Sequence, residues 1–476
     1  MQEVQNALED ILSQVLRLVT PGKDEALKVT ELSEKVRNRV ERFTDEVGLK
    51  ADVMVYGSVA KGTWISGEVD VDIFLRVSPS LPRKEMAEKS LTIGKRAVEV
   101  LGGSWVERYA EHPYVEGWVE GVRINIVPCY AVAKGRWLSA VDRSPFHTEY
   151  VRLKLDADKR MEVRLLKKLM RGINVYGADI KIGGFSGYLC ELLIIHYGGF
   201  IKTLEAVNLW KRGEVIDIEN HFKGKVGEAI RLFPEPLIVV DPVDETRNVA
   251  SAVSFSKLCE FIAAAKYFLE KPSIEFFSPS EPTIPKPKEL SDVLKIRGSA
   301  MLFIGFGRVE AVPDILWGQM YRSLRAISRL LHQHGFNILR TTAWSDERSL
   351  NVLILEIDRK VLPNVKLHFG PPVWALESKG FLEKYVGNSI VVAGPWIRDE
   401  RWVVEVLRKH VDAADILREA LKDGGLSVGI RGRVAQTLRE GFRVLINEEV
   451  EELCIGNKAF TSFLTQYLKG IPVWLR

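Results

Sequence analysis

Cysteine is scarce in this chain: Cys129, Cys190, Cys259 and Cys454 lie far apart and form no CxxC pair. That spacing argues against a zinc module and against a disulfide framework, so the four read as small buried hydrophobes. No uninterrupted apolar run is long enough to span a bilayer. The stretch from Met1 to Thr20 carries Glu3, Glu9, Asp10 and Arg17 among its apolar positions, which makes it an amphipathic helix rather than a secretion signal. An excess of one charge is also missing, because a net charge of +4 neither requires nor excludes nucleic acid at this size. There is no internal repeat and no low-complexity tract. With 46% hydrophobic and 27% charged residues in 476, the composition is that of a soluble, cytoplasmic globular protein too long for one core.

Punctuation and periodicity divide the chain. After the break at Pro21-Gly22, Glu31 to Val47 has helical period and ends at Gly48. Ala51 to Tyr56 reads as a strand, Leu81 to Leu101 as a helix, and Trp105 to Tyr109, Val115 to Val119 and Val122 to Pro128 as strands of the same sheet. Glu149 to Phe268 is mainly helical, including Met161 to Arg171 and Gly187 to Leu204, with an interruption from Pro234 to Pro242. Ser278 to Lys288 is the clearest linker. Beyond it, Ser299 to Val309, a helix over Tyr321 to Gly335 and a strand over Leu350 to Ile357 predict a sheet backed by helices, and Arg401 to Leu421 reads as a helix of a final segment. The expected domains are 1–148, 149–278, 279–380 and 381–476.

The chemistry concentrates near residue 70. In Glu68-Val69-Asp70-Val71-Asp72-Ile73-Phe74 a strand would direct Asp70 and Asp72 to one face and Val69, Val71 and Ile73 to the other. Paired carboxylate oxygens suit a hard divalent cation that keeps waters and substrate phosphates as its other ligands. Upstream, Gly57-Ser58 with Lys61 and Gly62 offers a glycine turn, a hydroxyl and a cation for triphosphate oxygens. Alone, such a pair is usually just a turn. With an exposed Asp-x-Asp strand following it, the combination resembles the nucleotidyltransferase superfamily that includes DNA polymerase beta, poly(A) polymerase and the CCA-adding enzymes. That resemblance implies two-metal transfer of a nucleotide and a third carboxylate from a neighbouring strand, expected within Val122 to Pro128, where this chain has Asn125. An amide offers a carbonyl oxygen but no charge and no basic site.

Further segments narrow the resemblance. Ser144-Pro145-Phe146-His147-Thr148-Glu149-Tyr150-Val151, Val163 to Lys167, Val175-Tyr176-Gly177-Ala178, Gly184 to Leu192 and Asp241 to Ala250 look like the archaeal, class I CCA-adding tRNA nucleotidyltransferases, and the likeness extends through His368 to Val373, Phe381 to Tyr385 and Gly394 to Ile397. It implies an α+β multidomain fold, with a polymerase-beta-like head, a helical central domain, and an α+β body and tail. It also implies Mg²⁺ held by Asp70 and Asp72 with Asn125 beside them, and a nucleotide pocket. In that pocket Ser58 and Lys61 meet the triphosphate, His147, Lys167 and Tyr176 line the phosphate and sugar side, and Arg247 reads the base. Taken singly, His147 reads as a core histidine, Tyr176 as a packed aromatic and Arg247 as a surface ion-pair partner. The implied partners are CTP, ATP and the acceptor stem and top half of tRNA, with no membrane and with room for a homodimer. Arg322, Arg325 and Arg329 fall on one helix face and Arg431, Arg433, Arg439 and Arg443 follow in the tail, in regions the family uses to grip RNA. Trp344, Trp374 and Trp396 are expected to pack. Two rivals stay open: another template-independent transferase of the poly(A) polymerase kind, and an RNA-binding protein whose centre is inactive because of Asn125.

Overall fold

The computed structural model describes residues 2–109, 111–280 and 287–475, and divides into two compact units, 1–281 with 471–476, and 282–470. The expected linker falls largely on residues 281–286, which lie outside the described residues.

The first unit begins with α1 (Gln2–Val19) and α2 (Lys23–Val47). A five-stranded sheet follows, built from β1 (Ala51–Tyr56), β2 (Asp70–Val77), β3 (Ser104–Tyr109), β4 (Pro113–Val119) and β5 (Val122–Tyr130) in the order β1-β2-β5-β4-β3. Only β2 and β5 pair in parallel. Between the strands lie the short α3 (Gly57–Lys61) and α4 (Arg83–Val100). Val71, Ile73, Leu75 and Val77 of β2 are fully buried in the core that also takes Val36 and Val40 of α2 and Ile93 and Ala97 of α4. At roughly 2 kcal/mol for each buried aliphatic side chain, that face alone pins the strand. The alternate residues Asp70, Asp72, Phe74 and Arg76 are thereby committed to the opposite face.

That opposite face carries α5 (Ser144–Lys154), followed by α6 (Ala157–Gly172), α7 (Gly187–Tyr197), α8 (Phe200–Val207), α9 (Val226–Leu232) and α10 (Phe255–Glu270). A small sheet of β6 (Glu214–Ile216), β7 (Leu237–Asp241) and β8 (Asp244–Asn248) lies among these helices, where the sequence shows the Pro234 to Pro242 interruption. The helix expected over Gly187 to Leu204 is two helices, because Gly198 at φ 85° ends α7 with a left-handed cap. Three of the cysteines are buried as expected, but Cys259 is exposed, on the outer face of α10.

The second unit contains α11 (Pro287–Ile296), β9 (Ala300–Phe306), α12 (Pro313–His334), β10 (Ile338–Ser345) and β11 (Asn351–Ile357). It continues with β12 (Val365–Pro372), α13 (Ser378–Tyr385), β13 (Val391–Arg398), β14 (Arg401–Leu407), α14 (Ala413–Leu421), α15 (Gly432–Glu440), β15 (Phe442–Ile446), α16 (Glu451–Cys454) and α17 (Lys458–Lys469). The helix expected over Arg401 to Leu421 begins only at Ala413. Arg-Trp-Val-Val-Glu-Val-Leu is the central strand of the sheet β12-β14-β13, where valines suit a pleated surface. The segment expected as a tail is shared out: β15 pairs with β9, and Trp474 stacks on Phe276 of the first unit at 5.5 Å between ring centroids. Trp344 packs on Phe460 as expected, whereas Trp374 is 71% exposed in the turn after β12.

Candidate active site

The parallel register of β2 and β5 sets Asp70 opposite Arg123 and Asp72 opposite Asn125. Asp70 and Asp72 thus share a face, as the alternation predicts, but each has a partner from β5. Arg123 grips Asp70 with a fork, its Nε donating to Oδ1 at 2.7 Å and its Nη2 to Oδ2. Asn125 donates its Nδ2 to Asp72 Oδ1 at 2.9 Å. On β4, opposite Asn125, the buried Glu116 accepts from Arg108 at 2.8 and 2.9 Å.

Gly57 faces the other oxygen of Asp72. A Cβ at Gly57 would stand 1.9 Å from Asp72 Oδ2, and its φ of 69° is left-handed, so glycine is required on both counts. Burial pushes Asp72 up to about 6; the neighbouring Asp70 adds to the shift, and the Asn125 hydrogen bond and Lys61 oppose it. A carboxylate held in this way gains from a cation. Its neighbours Asp70, whose two oxygens Arg123 grips, and the amide oxygen of Asn125 are of the hard-oxygen kind that divalent cations take. Among the described residues no cluster of three or more His, Cys, Asp or Glu is disposed to hold a metal, and at this site the residue beside Asp72 on β5 is an amide, Asn125.

A cavity of about 320 Å³ opens on this face, lined by Lys61, Asp72, Tyr114, Asn125, His147 and Tyr188 among others. Two buried carboxylates organise its walls. Glu191 of α7 binds Lys61 Nζ at 2.8 Å, Lys167 Nζ at 3.2 Å and the Thr63 hydroxyl at 2.6 Å. Burial alone would raise its pKa, yet the two ammonium groups and these hydrogen bonds hold it down at about 2. Asp241, at the end of β7, accepts from Arg247 Nη1 at 2.6 Å and the Tyr188 hydroxyl at 3.2 Å, and has His147 Nε2 at 2.8 Å. Burial again opposes ionisation, and these donors override it to about 2. The ionised carboxylate can only accept, so it fixes the proton of His147 on Nε2. The imidazole lies stacked on Tyr188 with ring centroids 4.1 Å apart.

Of the residues expected here, Asp70, Asp72 and Asn125 come together on the sheet, Lys61 and His147 line the cavity, and Arg247 stands behind His147 on the shared Asp241. Ser58, Lys167 and Tyr176 do not line the cavity. The Ser58 carbonyl accepts from Thr63, Lys167 sits fully enclosed against Glu191, and the Tyr176 ring packs under the Arg171 guanidinium at 4.7 Å. Glu191, Tyr188 and Asp241 were not singled out by the sequence. The signal for the two acids is a lone carboxylate in an apolar run, Gly-Tyr-Leu-Cys-Glu-Leu-Leu and Leu-Ile-Val-Val-Asp, which burial obliges to find cationic partners, whereas Tyr188 carries no such signal.

In the second unit Arg322, Arg325 and Arg329 are exposed along one face of α12. Arg322 and Arg431 line a cavity of about 210 Å³, and Arg433 reaches the Glu310 carbonyl. Arg439 is tied to the Asp423 carbonyl at 2.9 Å and Arg443 to Glu452 at 3.1 Å.

Comparison with known proteins gives matches along most of the chain. Family models match at residues 33–147 (nucleotidyltransferase domain), 161–278 (tRNA nucleotidyltransferase, second domain) and 297–447 (CCA-adding enzyme, C-terminal domain). The chain is 36% identical to the CCA-adding enzyme of Methanothermobacter thermautotrophicus over 96% of its own length and 97% of that protein's. It is 37% identical to that of Halobacterium salinarum over 96% and 98%, and 36% identical to that of Pyrobaculum aerophilum over 89% and 96%. With the Asp70–Asp72 strand of a nucleotidyltransferase head and this likeness from end to end, the chain belongs to the archaeal CCA-adding enzyme family of the nucleotidyltransferase superfamily.

Proposed function

We propose that this chain adds C, C and A to the 3′ end of tRNA without a nucleic-acid template, drawing on CTP and ATP and releasing pyrophosphate, and that it does so in the cytoplasm. The observation that carries the reading is one strand face that presents Asp72, with Asp70 beside it, to a cavity lined by Asp72 together with Lys61, His147 and Tyr188. Asp70 and Asp72 would hold Mg²⁺, with the Asn125 oxygen as a neutral third donor. In the two-metal chemistry of the superfamily, one bound ion would lower the pKa of the attacking hydroxyl and the other would offset charge on the triphosphate.

The protein's own groups do the positioning. Glu191 keeps Lys61 at the cavity wall, where its charge faces triphosphate oxygens. Lys167 and Thr63 complete the shell that holds Glu191, so they act on the nucleotide through Lys61, and Ser58 and Tyr176 support the same wall. Asp241 occupies Nη1 of Arg247 and so orients its remaining N–H groups. A guanidinium fixed this way can donate to the acceptors that cytosine and adenine share and would meet N–H donors on uracil and guanine. Exposed Arg322, Arg325 and Arg329, with Arg431 and Arg433, supply phosphate contacts for the acceptor stem and top half of tRNA.

Incubation of tRNA lacking its terminus with each labelled nucleotide tests the reading. The expected product carries two C and one A and then stops. Open-ended A addition would assign the chain to the poly(A) polymerase kind. RNA binding without any incorporation would mean that the Asn125–Asp72 hydrogen bond marks an inactive centre.

A further inference from the structure

A second cavity, of about 530 Å³, opens beside the first and shares Thr148 of α5 with it. Arg76, Arg152 and Arg160 line it with a single acid, Glu149. Arg76 projects from the face of β2 that carries Asp72, two alternations further along the strand, so both cavities open on the catalytic face of the sheet. Arg76 and Arg160 each have a buried Nε with no hydrogen-bond partner. Among the described residues, none of the three arginines forms an ion pair with a carboxylate. Buried guanidinium N–H groups left in this state cost about 1–3 kcal/mol each and are normally answered by an acceptor. Convergent arginines without a carboxylate partner, two of them with an unpartnered Nε, select planar or tetrahedral oxyanions, phosphate above all.

The remaining lining is apolar or aromatic: Met54, Tyr56, Phe146 and Leu153, of which Met54 is 45% and Leu153 80% exposed. Phosphate-seeking arginines beside flat apolar surface match a polynucleotide, whose charged backbone alternates with sugars and bases able to pack. A free triphosphate offers less to such a lining and has Lys61 in the neighbouring cavity. Resting on the proposed function, we infer that Arg76, Arg152 and Arg160 form a binding site for backbone phosphates of the RNA strand just upstream of its reactive 3′ end, set by the shared Thr148 wall beside the carboxylates.

The test uses the full chain and tRNA lacking its terminus, with fluorescence anisotropy measured from about 50 to 200 mM salt. The variants are Arg76→Gln with Arg152→Gln, and Arg152→Gln alone in case the double variant melts early. Arg160 is left intact because its side chain lies against Gly62 below α3. The double variant should bind tRNA about tenfold more weakly, with the slope of log K against log salt shallower by about 1.5 and the single variant by about 0.8, since each phosphate contact contributes about 0.7–0.9. Arg152→Lys should restore most of that slope. Calorimetric affinities for ATP, CTP and pyrophosphate should not change. An unaltered tRNA slope, or a loss confined to nucleotide or pyrophosphate, would overturn the proposal, the second by assigning the arginines to the triphosphate. Wild-type protein from the same preparation is assayed for incorporation: its failure would sink the proposed function, whereas a reacting wild type with an indifferent variant would sink only the arginine site.

Discussion

Asp72→Asn is expected to make the metal-free protein more stable while abolishing its activity. Asp72 rises from its ordinary 3.8 to about 6, chiefly through burial. About two pKa units correspond to roughly 3 kcal/mol, and access of water from the cavity reduces this to about 2 kcal/mol. The sign follows from the direction of the shift. Below about pH 4 the carboxyl is protonated in both the folded and the unfolded chain, and its titration costs nothing. As pH rises towards 6 the unfolded chain ionises freely while the folded one resists, so wild type loses stability and the loss is complete above about pH 7. Asparagine keeps the shape and can still accept from Asn125 Nδ2, now 2.9 Å from Oδ1, without the charge. In thermal melts with a chelator at pH 7.5 the variant should unfold about 4 °C above wild type, and the gap should close near pH 4. Mg²⁺ at about a hundred times its Kd should raise only wild type, by about 2.7 kcal/mol, and erase the difference. A variant no more stable than wild type at pH 7.5, or a gap that persists at pH 4, would refute the reasoning.

Asn125→Asp replaces the amide donor to Asp72 with a carboxylate at hydrogen-bond distance. Stability of the chelated protein should fall by about 1–3 kcal/mol, Mn²⁺ affinity measured by its EPR signal should rise, and transfer should be equal or faster; unchanged Mn²⁺ affinity would show that position 125 does not face the cation. Glu191→Gln leaves Lys61 and Lys167 enclosed without their counter-charge. Chemical denaturation should report a loss of about 3–5 kcal/mol, and Glu191→Asp should recover part of it.

The catalytic strand was legible because its two faces differ so sharply. Alternating Asp and aliphatic residues admit one orientation once Val71, Ile73, Leu75 and Val77 must be buried, and that places Asp70 and Asp72 together. The same rule misleads in Arg401-Trp402-Val403-Val404-Glu405-Val406-Leu407, where polar and apolar residues can be fitted to either period and only pairing with β12 and β13 settles a strand. The glycine pair after Tyr197 shows the reverse case, a local stop signal strong enough to split an apolar run that periodicity carries through.

What no local pattern could supply is the register between β2 and β5, because it joins residues more than fifty positions apart. Yet that register decides the electrostatics, since sliding β5 by two residues would set Arg123 rather than Asn125 against Asp72. In the observed pairing the guanidinium neutralises Asp70, the more exposed carboxylate, and the amide is left to Asp72, the one that burial already holds near 6. The site therefore keeps its strongest unmet demand for positive charge at the oxygen that faces Gly57 and the cavity. A third acid at position 125 would deepen that demand, and the chain instead limits it with a neutral donor, which is why the stability of Asp72 and the affinity of the site for cations should move in opposite directions when either residue is changed.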